Sequence, residues 1–138
     1  MKQTLLFFVL ISVTSVFFSC KKDTVPSEKL NLLTSHIWTA DSLTADGVDE
    51  SGEGGMLQDF NGDTKFNDDG TGYVGDISGT WQFSEDESSL TITSDSLLFP
   101  VTTKIVELTE NSLKLTTSFP KDSTLTVYAA VRMTFVPK

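Results

Sequence analysis

The chain has 138 residues, ten basic and nineteen acidic side chains, one Cys, one His and 38% apolar residues, a size that predicts one domain. Its net charge of -9 argues against nucleic acid or an anionic surface as the main partner, because binding phosphate needs clustered Lys and Arg. A single Cys and a single His leave no intrachain disulfide, no four-ligand zinc module and no Cys-His catalytic pair.

Lys2, followed by an uncharged and largely apolar run over residues 4–18, predicts a secretory leader over residues 1–19. The run falls short of the roughly 20 residues a membrane span needs. Ser19 places a small residue before Cys20, and the segment SVFFSC resembles a bacterial lipoprotein signal of the Phe-rich Bacteroidetes type. That resemblance implies that Cys20 becomes the first mature residue, with diacylglycerol on its thiol and a further acyl chain such as palmitate on its amine. More than one chain gives stable anchoring. Lys21, not Asp, follows Cys20, and in the resembled group this implies the outer membrane, on its periplasmic face or at the cell surface. Residues 20–28 are then the lipidated Cys and a polar, Pro-containing tether.

Residues 29–138 form the expected domain. Ser27 is placed to cap a helix ending at Ser35, with Leu30 and Leu33 one turn apart. So short a helix persists only by packing those two side chains onto something larger. From Trp38 onward the chain reads as strands, the first over residues 38–43. Phe66 ends a strand that turns at residues 67–70, and Tyr73 and Val74 begin the return. Trp81 and Phe83 share a face before a turn at residues 85–88, after which Leu90 and Ile92 come back. Ile105 and Val106 lead to Glu110 and Asn111, Leu113, Leu115 and Phe119 return, and residues 120–123 turn the chain once more. Leu125, Val127, Ala129, Val131, Met133 and Phe135 then alternate at period two, which predicts a long last strand with one buried face. Hairpins at spacings of about ten residues predict an all-β, antiparallel up-and-down meander of about eight strands. That number closes into a barrel, with an open sandwich as the alternative.

The segments LLTSHIW, KFNDDGTGYV, GTWQFSEDESSLTIT and KIVELTENSLKLTT resemble the lipocalin-like domains of Bacteroidetes lipoproteins, over about residues 30–137. The resemblance implies a calycin-like barrel with a short N-terminal helix and a Trp plugging its base. Trp38 takes that place, with His36 where the family has Gly. It also implies a small hydrophobic ligand; separately, no cofactor is expected.

Inward-facing Phe66, Trp81, Phe83, Leu115, Val127 and Val131 are the candidate lining for such a ligand; the competing reading is plain core packing, since a small barrel fills itself. Phe60, Tyr73 and Tyr128 are candidates for exposed rings on a glycan- or protein-binding surface. A structural accessory of an envelope complex is the third class. Asp59, Asn61 and Asp63 alternate like the start of an EF-hand, but Thr64 replaces the Gly and Gly70 the bidentate Glu, so at most a weak calcium site is expected. No catalysis is expected: His36 has no nucleophile in a recognisable motif, and Asp68, Asp69, Glu85, Asp86, Glu87 and Glu110 lie in predicted turns. The expected partners are the membrane, through Cys20, and a small ligand, with no nucleic acid and a monomeric chain.

Overall fold

The computed structural model describes residues 25–138; the leader, Cys20 and the first part of the tether lie outside the described residues. Helix α1, Glu28–Ser35, starts where Ser27 Oγ accepts the N–H of Leu30 at 3.0 Å, satisfying one of the free donors of a helix start. Leu33 is fully buried and Leu30 packs against the core beside it. Lys65 Nζ donates to the carbonyls of Thr34 and His36 at the other end of α1, and Lys29 Nζ donates to Glu87 O at 2.8 Å. The helix is thus tied to the strands by packing and by two ammonium groups.

Nine strands follow: β1 (Ile37–Ala45), β2 (Val48–Asp49), β3 (Asp63–Phe66), β4 (Thr71–Val74), β5 (Ile77–Phe83), β6 (Ser89–Thr93), β7 (Val101–Leu108), β8 (Leu113–Pro120) and β9 (Tyr128–Pro137). Every pairing is antiparallel. From β3 to β9 each strand pairs with its successor, and β1 pairs with both β3 and β9. Eight strands therefore close a barrel, as expected, and the open sandwich is set aside. The two-residue β2 hangs on the outer part of β1. One edge of β1 follows β9 from Trp38 to Ala45, while the other is divided between β3 at residues 37–39 and β2 at residues 44–45.

Strand direction sorts the connections. The base of the barrel carries α1 and the turns after β3, β5 and β7; the mouth carries residues 46–62, 75–76, 94–100 and 121–127. Along β9, Ala129, Val131, Met133 and Phe135 are buried while Ala130 and Arg132 are exposed, the predicted period of two. The strand begins at Tyr128, however, not at Leu125. Leu125 has φ 56, in the left-handed region that a strand excludes. Val127 is 50% exposed and its carbonyl accepts the N–H of Lys121. Val127 is therefore a loop residue outside the barrel interior, contrary to the expected lining.

Four turns repeat one device. Asp49, Asp69, Asp86 and Asp122 each accept, on a single carboxylate oxygen, both the N–H and the hydroxyl of the Ser or Thr two residues on, at 2.6–3.1 Å. The Asp side chain closes the turn in place of a backbone carbonyl. These bonds, the hydroxyl's foremost, hold the carboxyls of Asp49, Asp69 and Asp122 below the usual range. In Asp86 the hydroxyl of Ser84 adds to that of Ser88, and the carboxyl falls to about 2.

Candidate functional site at the barrel mouth

The base is shut. Trp38 is fully buried, and its indole N–H donates to Leu33 O at 3.0 Å, joining the first strand to the helix that covers it. The same position is the one at which a base-plugging Trp was expected. His36 lies against Trp38 with ring centroids 5.1 Å apart, and its Nδ1 sits 3.0 Å from Ser35 Oγ and 3.2 Å from Leu32 O.

Above the base the interior is filled. Phe66 meets Trp81 edge to face at 5.5 Å, and Trp81 meets Phe83 likewise at 5.3 Å. The Trp81 indole N–H is shared between Asn67 O and Thr71 O, each at 3.0 Å. Gly72 and Gly79 face each other across β4 and β5, and a Cβ on Gly79 would run into the Thr93 carbonyl. The free space among these residues is about 10 Å³, room for one water at most. Phe66, Trp81, Leu115 and Val131 are buried members of the core, and Phe83 is half-buried against it. Of the six candidate lining residues, the structure thus packs five together as core and leaves Val127 in a loop.

The open space lies higher. A cleft of about 310 Å³ at the mouth is lined by Met56, Phe60, Ile77, Leu97, Phe99, Val101 and Phe119, with Asp59, Lys121 and Asp122 among its polar residues. That volume reaches the lower end for small-molecule sites, about 300 Å³. Residues 46–62 build one wall. Asp46 and Gly47 both have positive φ, 51 and 82, the two-residue turn that joins twisted strands. After β2 the chain folds back over the barrel, with Glu50 N–H on Leu43 O and Leu57 N–H on Glu50 O, both at 3.0 Å. A single 3-10 turn, Gln58–Phe60, drives Phe60 inward until only 4% of it is exposed, and Leu57 only 1%. Phe60 is therefore a barrel stopper, which corrects its reading as an exposed recognition ring. Asp76 N–H donates to Asp59 O at 2.8 Å, and Gly75, at φ 56, lies so close to Asp59 O that a Cβ would clash.

Phe60 and Phe99 both stack on Phe119, at 6.1 Å edge-on and 6.2 Å tilted. Lys121 pairs with Asp46 at 2.5 Å across the rim, and this pair, followed by the Ala130 N–H, holds the Asp46 carboxyl below its usual range. Tyr73 and Tyr128 stand on β4 and β9, strands that do not pair, so they make no shared platform with each other.

Two of the three weak calcium candidates are engaged elsewhere. Asp63 accepts from Thr39 Oγ1 at 2.9 Å and pairs with Lys138, whose ammonium, ahead of Thr39, holds that carboxyl low. Asn61 Nδ2 donates to Ser51 O at 3.2 Å, and Asp59 stands exposed. Among the described residues no three His, Cys, Asp or Glu side chains gather as metal ligands.

A signal for the mouth was present in the loops, not in the strands. Met56-Leu57 and Leu97-Leu98-Phe99 are apolar runs in segments that turn chemistry would otherwise make polar.

A closed eight-stranded meander, plugged at its base by a Trp under a short helix and with a cleft at the other end, is the architecture of a calycin-type barrel. The family model for lipocalin-like domains matches residues 35–115, more than half of the sequence, and the chain belongs to that family. The match runs from the end of α1 into β8, and β9 completes the barrel beyond it. Among curated proteins, none matches this chain.

Proposed function

We propose that this protein is a lipid-anchored outer-membrane lipoprotein whose barrel holds a small hydrophobic ligand in the mouth cleft. The observation that carries the ligand is the cleft itself: about 310 Å³ with an aromatic and aliphatic wall, above an interior too full to admit anything. The anchor rests on Cys20 behind a short apolar leader. The chain enters the domain at the base, where Ser27 caps α1. A tether from Cys20 therefore joins the domain at its base, the end opposite the cleft. The protein binds and does not catalyse in this reading, because its only His is held at the base, at the opposite end from the cleft.

Saturable uptake of a neutral arylnaphthylamine dye tests the ligand site. Leu97→Trp, at a half-buried position on the cleft wall, is expected to abolish uptake without lowering the melting temperature. Unchanged uptake in that variant would place the dye elsewhere and sink the reading. Palmitate labelling that persists after Cys20→Ala would sink the anchor.

A further inference from the structure

The cleft joins two kinds of surface. Phe60, Phe99 and Phe119 give it an aromatic wall, and Asp59 and Asp122 lie on the same lining. Among the described residues its one cation, Lys121, is already engaged by Asp46. Around it, every ionisable side chain on residues 46–62, 75–76 and 94–100 is a carboxylate. Asp59 is exposed on the cleft lining. Asp122 keeps its charge while one of its oxygens holds the Thr124 turn.

A fatty carboxylate entering this cleft would bring its charge beside two like charges, with no free ammonium to receive it. A cation meets the opposite: carboxylates at the rim and aromatic rings whose quadrupoles attract positive charge. An apolar wall on one side raises the effective strength of both terms above their value in bulk water. We infer that the cleft selects an organic cation, an amine or quaternary ammonium carried on an apolar chain, over carboxylates and neutral alcohols of the same length. This rests on the reading of the mouth as a ligand site and gives that ligand its chemical class.

The test compares decyltrimethylammonium, decanol and decanoate as competitors of the neutral dye, on the full-length Cys20→Ala chain and below micelle-forming concentrations. The cation is expected to displace the dye at about five- to tenfold lower concentration than decanol, with decanoate weakest, and about 0.5 M NaCl should narrow the spread. Asp59→Asn, at an exposed position, should remove part of the cation's advantage over decanol, and Asp59→Asn with Asp122→Asn most of it, with the remainder due to the aromatic wall. Equal displacement by all three, or decanoate ahead of the cation, overturns the charge selection while leaving the cleft as a ligand site. A dye that is not taken up at all overturns the site reading beneath it.

Discussion

At the base of the barrel and in the filled interior just above it, Trp38 and Trp81 are each anchored by an indole N–H on a main-chain carbonyl, of Leu33 in one case and of Asn67 and Thr71 in the other. At the mouth, Phe60, Phe99 and Phe119 seal against one another through ring contacts alone. A Trp with a satisfied N–H has its ring plane specified as well as its burial, whereas Phe slides with little directional penalty. The base is therefore built to be unique and the mouth to adapt.

The largest test of that contrast is Trp38→Ala. It deletes a fully buried ring and orphans the Leu33 carbonyl, and is expected to cost about 3–5 kcal/mol in denaturant unfolding. Phe60→Ala should cost about 2 kcal/mol, below the usual range for a buried Phe because residues 46–62 collapse into the gap. Dye uptake should rise as the stopper is removed. Equal costs for the two variants would erase the distinction between the ends. Gly75→Val forces a branched side chain into a positive φ against Asp59 O and is expected to cost about 1 kcal/mol or more. Its mark would be faster proteolysis within residues 46–62, with the base intact.

Thr64 sharpens the comparison from the other side. It faces Trp38 in the β1–β3 register and its buried hydroxyl has no hydrogen-bond partner, so Thr64→Val should be neutral or stabilising by up to about 1 kcal/mol. A clear loss of stability would mean that the hydroxyl is satisfied in solution. The smallest effect concerns acid. The Asp86 carboxyl titrates lower in the folded chain, at about 2, than the ordinary value near 4 expected when unfolded. Its contribution is complete above pH about 4 and is lost as pH falls toward about 2. Melting temperatures recorded across that window should fall less steeply for Asp86→Asn than for the parent chain.

Much of the frame was legible because periodicity and caps are local. Ser27 capping a helix that ends at Ser35, the turns after Phe66 and Phe83, and the inward parity of Ala129, Val131, Met133 and Phe135 all follow from short-range patterning. Alternation outlasts the strand, however: Leu125 and Val127 keep the rhythm while the backbone at Leu125 has already left the extended region. The site was harder to read for a different reason. Period two says which side chains face inward, but not whether they meet there. Two large rings, Phe66 and Trp81, fill the space that two facing glycines leave, and the vacant volume moves up to the mouth. The residues that line it sit on loops with no period, and Phe60 in particular is buried only because a 3-10 turn and the Asp76–Asp59 contact carry it inward.

The pairing of β1 with β9 sets a rule for assembly. The first strand of the barrel meets β3 over three residues and finds its full-length partner only in the last, so ring closure is the most non-local step and carries the largest loop entropy. Until β9 is in place, β1 and β8 each present an unpaired edge, the arrangement that invites pairing between chains. A chain stopped short of Tyr128 would be a sheet with two open sides, not a smaller barrel. The barrel is complete only when residues 128–137 return to the strand with which it began.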